Sequence, residues 1–341
     1  MVDLARANYS LDEILAYVDI CYYYRLSVVH FHFADGVSYK VISDRFPKFD
    51  TYRSQYTKEE INYLRKYLSD RGLLILPEIE MPGHCEMLGA FYPEIFGGSH
   101  IGTVCLEHEE VFDGLKTLIG ELCEMFPEAP YIHIGCDEVR RDSWENCPHC
   151  QAFMQKNGLK NTGEMYTYMV DRCTRMVLDM GRTPIVWEGF PKEGSERLSR
   201  DIIVMVFQST FQSSIELTNS GFKVINTSWQ PLYIVPSVSK HWNPDEVYRW
   251  KYNKWLYETA VDDSEQMIVE NKDMVMGAQI CLWEGCHYRT DGSIVEENVA
   301  AMSERLWNEN YAVDYPAFAT AKQNVSKKLT RMIDESLKED K

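Results

Sequence analysis

Two adjacent carboxylates close an apolar run near the middle of the chain. The run extends from His133 to Glu138 and reads HIGCDE, so small residues precede Asp137 and Glu138 and leave room for a ligand. Desolvation and mutual repulsion at such a place push one carboxyl toward its protonated form, which keeps a general acid loaded near neutral pH. We therefore predict that this pair performs acid–base chemistry.

Two earlier runs also end in residues suited to chemistry. The segment HFHFAD places His30 and His32 on one side of a strand and Asp35 at its end. An HxH pair is typical of metal sites, but we favour the interpretation that both histidines fill polar layers inside the fold. Residues 76–84 (LPEIEMPGH) end in a turn stiffened by two prolines and a glycine, which presents His84. Asp35 and His84 are therefore candidate functional residues.

Aromatic residues end the later apolar runs. Trp187 and Trp283 are each followed by a glutamate, and Phe207 ends a run between them. Aromatic faces that converge on a pocket suit the apolar CH surface of a pyranose ring. Each of these residues alone fits a core position, but together they favour a sugar site.

Cys147 and Cys150, in the segment CPHC, have the spacing of metal ligands or of a redox pair. No second CxxC pair completes a set of four ligands, so we expect no bound metal and no cofactor, with zinc kept as the alternative. The 10 cysteines as a whole are scattered and not spaced as a disulfide framework, which favours reduced thiols and a cytoplasmic location.

The charge balance excludes whole classes of partner. The 341 residues include 35 Lys and Arg against 52 Asp and Glu, a formal net charge of −17. Such an acidic surface repels phosphate backbones and anionic lipids, so we expect neither nucleic-acid nor membrane partners. The sequence shows no signal-peptide pattern and no apolar run near ~18 residues, so we expect the chain as written to be soluble and unexported. Nothing in it predicts an oligomeric state.

The candidate residues are distributed along a repeated alternation of strands and helices. Short apolar runs predict buried parallel strands at residues 1–5, 26–34, 73–80, 131–138, 184–189, 202–208, 222–228 and 277–284. Amphipathic spacing predicts helices at residues 11–24, 57–71, 109–126, 162–180 and 293–308. Ser10 with Glu13 makes a capping box, and Gly72 and Gly181 end helices just before a strand.

Eight strands in this alternation favour an α/β fold of the TIM type, a (β/α)8 barrel. An open doubly wound sheet is the alternative, but it would need a Gly-rich phosphate loop, and neither GxGxxG nor GxxxxGK[ST] occurs. We predict a catalytic barrel over residues 1–315, starting within its first strand, and a helix packed on it over residues 316–341. The aromatic-rich segment 237–273 is interpreted as helix packing, with a substrate wall as the alternative. In a barrel, the candidates above other than Cys147 and Cys150 lie at or just after the carboxyl ends of strands, where active sites form.

With these residues assembled, the chain resembles glycoside hydrolase family 20, the β-N-acetylhexosaminidases, across nearly its whole length. Residues 2–6 (VDLAR) look like the end of that family's first barrel strand, and residues 30–39 like its HxHxxD segment. Residues 77–84 resemble its PEIDMPGH turn, and residues 133–138 resemble its HxGGDE motif. The resemblance implies a barrel that acts on glycans with a terminal β-linked N-acetylhexosamine.

The resemblance also implies residue roles. Glu138 matches the general acid/base, Asp137 the carboxylate that orients the 2-acetamido group, and Asp35 with His84 a relay to the acid. The implied reaction is retaining exo-hydrolysis by substrate-assisted catalysis, with terminal GlcNAc as our first choice of sugar and GalNAc as the second. The residues expected to bind the substrate are Trp187, Phe207, Tyr233, Trp283, Glu284 and His133.

The sequence departs from the family pattern at positions that grip sugar hydroxyls. The family's arginine precedes the first-strand motif, whereas this sequence begins at Met1 inside it. We expect either an upstream segment or a substitute, and Arg6 lies too far along the chain to be our first choice. Val235 stands where an aspartate often grips distal hydroxyls, a role that we give to Glu284 or Glu188.

Two other functions stay open. A metal-dependent barrel hydrolase would use His30, His32, His84 and Asp137 as ligands. A non-catalytic glycan-binding barrel would account for the two departures just described.

Overall fold

A computed structural model describes residues 1–49, 55–97, 100, 102–106, 109–236, 243–257, 266–310 and 312–339. The strands in these residues are β1 (Val2–Asp3), β2 (Val28–His32), β3 (Leu74–Glu78), β4 (Tyr131–His133), β5 (Thr183–Trp187), β6 (Ile203–Val206), β7 (Lys223–Asn226), β8 (Tyr233–Ile234), β9 (Lys254–Leu256), β10 (Gln266–Ile268), β11 (Val275–Ala278) and β12 (Cys281–Leu282). The α-helices are α1 (Leu11–Tyr23), α2 (Lys58–Asp70), α3 (Glu86–Phe91), α4 (Pro93–Phe96), α5 (Glu110–Met125), α6 (Arg141–Glu145), α7 (Pro148–Lys156), α8 (Thr162–Asp179), α9 (Ser214–Asn219), α10 (Trp229–Leu232), α11 (Pro244–Arg249), α12 (Tyr288–Trp307) and α13 (Tyr315–Glu339). Within the described part of the chain, no helix combines the length and the apolarity needed to cross a membrane.

Parallel pairing closes these strands into a barrel. Strands β1 to β7 pair in sequence order, and β7 then pairs with β11. The same chain segment continues into β12, which pairs with β1 on one side and with β8 on the other. The segment from Val275 to Leu282 therefore acts as the eighth strand, interrupted at Gln279 and Ile280. The predicted (β/α)8 barrel is confirmed.

Strand β6 shows why the barrel strands read as continuous apolar runs. Ile203 and Met205 face the cluster inside the barrel, whereas Val204 and Val206 belong to the larger core between the strands and the helices. Both faces of the strand are thus buried, as in other parallel sheets covered by helices. The inner cluster continues into Trp187, Phe207 and Tyr233 at the carboxyl ends of the strands.

The predicted helix punctuation is present. Ser10 and Glu13 form a reciprocal capping box at the start of α1. Gly72 and Gly181 follow α2 and α8 with φ of 68° and 73°, the left-handed conformation that ends a helix. Helix α12 begins at Tyr288, earlier than the predicted Ser293.

The fourth strand is shorter than predicted. It ends at His133, and the residues up to Glu138 follow as a loop. Gly135, Cys136 and Glu138 have φ of 64°, 77° and 45°, and this left-handed backbone cannot continue a strand. The acid pair therefore stands on a strained loop at the barrel mouth.

Part of the aromatic-rich segment packs inward, whereas Tyr257 in the same segment is 38% exposed. Tyr248, Trp250 and Trp255 are buried, and the Trp255 indole donates to the Val206 carbonyl at 3.1 Å. Trp242 lies outside the described residues. Packing thus accounts for these aromatic residues, as we favoured.

The terminal helix α13 lies against α1 on the outside of the barrel. The apolar residues Val325, Leu329, Ile333 and Leu337 follow one another at spacings of four along this helix, and the structure buries Leu329 and Ile333. The side chain of Leu337 lies outside the described residues.

Candidate active site

A buried carboxylate that we did not predict, Glu78 at the end of β3, organises the layer beneath the site. His32 Nδ1 lies 2.6 Å and His30 Nε2 lies 3.0 Å from one of its oxygens. His133 Nδ1 lies 2.7 Å from the other oxygen, which also accepts from the Trp187 indole at 2.5 Å. Burial opposes the charge of Glu78, but the three histidines outweigh it and hold its pKa well below the ordinary value.

The two histidines of the HxH pair lie in this layer. His30 and His32 are 1% exposed and fill the polar barrel interior, as we favoured. His133 is 0% exposed and lies in the same layer, 4.9 Å from the ring of Trp187, which is itself 1% exposed, so its contact with substrate stays a prediction. Among the described residues, His30 and His32 group with Glu78, whereas His84 groups with Asp137 and Glu138, so the proposed four metal ligands do not form one set.

The four residues predicted to be catalytic meet around the His84 ring. Its Nδ1 lies 3.5 Å from Asp35 Oδ2, and its Nε2 lies 3.4 Å from Glu138 Oε2. Asp137 Oδ2 lies 3.9 Å from the same Nε2. The imidazole therefore links the end of the second strand to the acid pair after the fourth.

The backbone at these positions is strained. His84, Glu138 and Glu284 have φ of 49°, 45° and 54°, a region that residues with a side chain rarely adopt. At Gly83 an added Cβ would lie 2.6 Å from the backbone oxygen of Asp137, so only glycine allows the His84 turn to lie against the acid pair. The local fold therefore holds the reactive groups close together although some of their backbone conformations are unfavourable.

The two acids differ in their affinity for a proton. Burial raises the pKa of Asp137 to about 6, although the charge of His84 opposes the shift. The hydrogen bond to His84 lowers the pKa of Glu138. Burial lowers the pKa of His84, but the bond to Glu138 and the charges of Asp137 and Asp35 outweigh it and raise the pKa to about 9. The carboxyl pushed toward its protonated form is thus Asp137, whereas we had linked that shift to the general acid.

Asp35 is held ionised by two cationic groups. Burial opposes its charge, but the bond to His32 and the charges of His32 and Arg6 lower its pKa to about 2. Arg6 Nη2 lies 2.6 Å from Asp35 Oδ2, and Nη1 lies 3.2 Å from Asp3 Oδ2. The guanidinium also lies 5.1 Å from the centre of the Trp283 ring. Arg6 therefore belongs to the site, but its contacts go to acids of the protein.

Four of the predicted aromatic residues form one wall beside the acid pair. Trp187 lies 5.9 Å from Phe207 and 6.0 Å from Trp283, measured between ring centres. Tyr233 lies 5.9 Å from Trp283 and nearly parallel to Phe207 at 6.3 Å. Trp229, which we did not predict, joins them 4.7 Å from Tyr233. Such a wall suits a flat, weakly polar group such as an acetamide.

Asp137 Oδ1 is one of several buried polar atoms at the site that have no partner among the described residues, and Trp283 Nε1 and Glu80 Oε2 are others. Asp137 Oδ1 is buried and accepts no hydrogen bond from any described residue. A buried acceptor left unpaired costs about 1–3 kcal/mol, so a ligand that supplied a donor to Asp137 Oδ1 would be bound more favourably.

The family of the chain follows from a match over most of its length. The family model described as "Glycosyl hydrolase family 20, catalytic domain" matches residues 1–310. The chain belongs to glycosyl hydrolase family 20.

The curated relatives of the chain are distant in sequence and longer. The chain is 24% identical to a beta-hexosaminidase of Porphyromonas gingivalis, in a match that covers 96% of this chain and 45% of that protein. It is 24% identical to the beta-hexosaminidase subunit alpha of Mus musculus, covering 91% of this chain and 60% of that protein. The chain thus spans about half the length of the curated relatives that it matches.

Solved structures of other proteins share the fold. The exo beta-N-acetylglucosaminidase from Vibrio harveyi in complex with N-acetylglucosamine matches with a TM-score of 0.80 and 22% identity, covering 97% of this chain and 57% of that chain. Dispersin B matches with a TM-score of 0.73 and 17% identity, covering 90% of this chain and 98% of that chain.

Glu188 and Glu284, the two glutamates that we predicted to hold the sugar hydroxyls, differ in their surroundings. Glu188 is buried and accepts from the backbone N–H groups of Gln208, Ser209 and Phe211 at 3.2, 2.8 and 2.9 Å, so it shapes a loop and is not available to a sugar. Glu284 is exposed at the rim, and its backbone N–H donates to Asp3. Glu284 therefore remains the candidate for the residue that holds the sugar hydroxyls.

Proposed function

We propose that this chain is the catalytic unit of an exo-acting, retaining β-N-acetylhexosaminidase that works by substrate-assisted catalysis. The observation that carries the proposal is the buried, unpartnered oxygen of Asp137 beside Glu138 and the aromatic wall. Family 20 is an exception among glycosidases because the substrate supplies its own nucleophile. A single pair of neighbouring carboxylates is then sufficient.

In this mechanism the aromatic wall holds the 2-acetamido group against Asp137. Asp137 accepts the amide N–H, which turns the amide oxygen toward the anomeric carbon. The oxygen attacks that carbon while Glu138 gives its proton to the leaving oxygen, and positive charge develops on the cyclic intermediate next to the Asp137 carboxylate. Glu138 then takes a proton from the attacking water, and the second displacement restores the original configuration.

The electrostatics require a proton to move when substrate binds. Without substrate, His84 keeps Glu138 ionised and Asp137 has a pKa of about 6. An amide N–H donor favours the charged form of Asp137, whereas a leaving group that covers the half-exposed Glu138 disfavours its charge. Both effects load the proton onto Glu138, where the first step needs it.

Terminal β-linked GlcNAc is the proposed substrate, with GalNAc second. Support comes from the names of the relatives, which are beta-hexosaminidases, and from the Vibrio harveyi structural neighbour described with N-acetylglucosamine. The rim acid Glu284 is the proposed contact for the sugar hydroxyls.

The first test is hydrolysis of 4-nitrophenyl β-GlcNAc by three variants. Glu138→Gln and Asp137→Asn are expected to lower kcat by ~10²-fold or more, because each removes a group used in the transition state. Glu94→Gln, an exposed acid of α4, serves as the matched control and is expected to retain activity. Full activity in Glu138→Gln would reject Glu138 as the acid, and absence of turnover in the unmodified chain would favour the glycan-binding alternative.

A second test separates this mechanism from a metal-dependent hydrolase. Fluorine on the N-acetyl group withdraws electrons from the amide oxygen, so kcat is expected to fall steeply from N-acetyl to N-trifluoroacetyl substrates. A metal-activated water would attack without help from that oxygen. A kcat that does not change with fluorination would therefore contradict the proposal.

A further inference from the structure

Four candidate metal ligands meet outside the active site. His100, Cys105, Cys147 and Cys150 place one ligand atom each within 4.8 Å of one another. The Cys105 sulfur lies 3.7 Å from that of Cys147 and 3.8 Å from that of Cys150. Sulfur ligands of a tetrahedral zinc ion lie ~3.8 Å apart when the Zn–S bonds are about 2.3 Å.

Local structure brings the three sulfurs together. Cys147 stands at the N-cap of the nine-residue helix α7 and offers it no side-chain hydrogen bond, and Cys150 lies in the first turn. Cys105 is fixed by its backbone N–H, which donates to the Phe96 carbonyl at 2.9 Å. An added Cβ at Gly97 would lie 2.2 Å from that of Cys105, so this approach requires glycine.

The fourth candidate ligand is the imidazole ring of His100. Both Nδ1 and Nε2 of His100 are buried, and among the described residues neither has a hydrogen-bond partner outside the cluster itself. Buried polar atoms are nearly always paired, and an imidazole is a common zinc ligand. The orphaned ring is therefore a second indication of a missing ligand, independent of the sulfur spacing.

We propose that His100, Cys105, Cys147 and Cys150 bind one structural zinc ion. Four protein ligands fill the tetrahedral shell and leave no position for a substrate, so the ion does not take part in the reaction. Binding of Zn²⁺ displaces the three thiol protons, and the three thiolates with the neutral imidazole leave the site with one net negative charge. The positive end of α7 lies next to two of these thiolates and stabilises them.

The ion would join the two loops that carry the catalytic groups. The loop with Cys105 bonds to the His84 turn through the Val104 N–H and the Pro82 carbonyl, at 3.1 Å. The same loop bonds to the segment after Glu138, where the Trp144 indole donates to the Val104 carbonyl at 2.9 Å. Zinc therefore stabilises the relative position of His84 and Glu138 without touching either.

The metal content of the full chain tests the proposal directly. Chain expressed with zinc in the medium and purified without chelators is expected to carry about one zinc per chain by mass spectrometry, as a four-ligand site requires. The zinc-free chain, reduced and supplied with Co²⁺ alone, is expected to show the strong visible and sulfur-to-cobalt absorption of a tetrahedral thiolate site. A chain that is metal-free as purified and takes up neither ion would overturn the proposal, and stoichiometric iron without zinc would overturn the assignment to zinc.

Variants locate the ion. Cys150→Ser and His100→Ala are expected to lose zinc, whereas Cys123→Ser, a partly buried cysteine of α5, is expected to keep it. Zinc retained in both ligand variants would contradict the site. If these variants do not fold, the cobalt spectrum of the unmodified chain still decides. Because metal content is measured without a substrate, this result stands apart from the success or failure of the glycosidase proposal.

Discussion

His84 Nε2 lies 3.4 Å from Glu138 Oε2, and the opposite nitrogen of the same ring lies 3.5 Å from Asp35 Oδ2. The ring thus stands between a fixed anion and the proposed acid/base. Its own pKa is raised to about 9, so it is a cation at neutral pH and favours the charged forms of both Glu138 and Asp137. His84 is therefore a positioning and charge-setting residue for the acid pair.

The pH profile of His84→Asn tests this relationship. In the unmodified chain kcat/KM is expected to fall as the pH passes about 6, because the pair then loses the proton that substrate binding moves from Asp137 to Glu138. The cation at His84 lowers the pKa of Asp137, so its removal raises that pKa and moves the falling limb to higher pH. At a fixed pH above the limb, kcat/KM relative to its maximum is expected to rise about tenfold for every pH unit by which the limb moves.

The control for this profile is His149→Asn, an exposed histidine of α7. The limb is expected to stay in place in that variant. A limb that does not move in His84→Asn, or moves to lower pH, would separate His84 from the titration of the pair.

Glu78→Gln is expected to destabilise the chain strongly. Burial lowers the pKa of His32, but the charge of Glu78 and the bond to Asp35 outweigh it and raise the pKa to about 10, so the substitution removes the larger of the two anionic partners of a buried cation. Breaking one side of a buried ion pair costs about 3–5 kcal/mol. Urea denaturation at pH 7 measures the loss, and Glu94→Gln on the surface is expected to stay within about 0.5 kcal/mol of the unmodified chain.

The same network predicts the acid sensitivity of the fold. The pKa of Glu78 is lowered on folding, so its contribution is fully present above its unfolded pKa of about 4.3 and is lost as the pH falls below it. The unmodified chain is thus expected to lose more stability between pH 6 and pH 3 than Glu78→Gln does. Equal losses in the two proteins would show that the network does not depend on this charge.

Residues that end apolar runs could be predicted, because the carboxyl ends of barrel strands converge whatever the details of packing. Asp35, His84 and the acid pair were found in this way, and the structure brings them together. Glu78 was not found, because it sits inside a strand pattern and its partners come from three other strands. The sequence also did not show which of the two acids has the raised pKa, because this depends on burial. Burial is decided by packing against other parts of the chain, which a single strand motif does not describe.

The sulfur cluster shows a second limit of sequence reasoning. Cys147 and Cys150 share a local motif, but Cys105 lies 42 residues before Cys147 and no spacing rule joins them. His100 gives no signal of its own either. Only the close approach of the loop to α7, permitted by Gly97, reveals the set of four.

Tyr233→Phe tests whether the aromatic wall also supplies a donor. Burial raises the pKa of Tyr233 well above its ordinary value, so the hydroxyl keeps its proton and is able to donate to the developing charge on the acetamide. Removal of one such donor is expected to lower kcat by roughly 10²-fold with little change in KM, because the ring itself is retained. Steady-state kinetics check the split, with Tyr63→Phe on exposed α2 as the control. An increase in KM alone would assign the hydroxyl to ground-state binding.

Gly83→Ala tests the packing of the His84 turn on the acid pair. The new Cβ would lie 2.6 Å from the backbone oxygen of Asp137, and since this neighbour is backbone, one of the two loops must move. A displacement near 1 Å between catalytic groups lowers kcat/KM by up to about 10²-fold, so a loss of this order is expected while the chain stays folded. Gly120→Ala in the interior of α5 is the matched control: its Cβ would meet only Met180 Cε at 3.7 Å, and the variant is expected to be fully active. Circular dichroism and kinetics on both variants check the result, and undiminished activity in Gly83→Ala would mean that the two loops are not held in close contact.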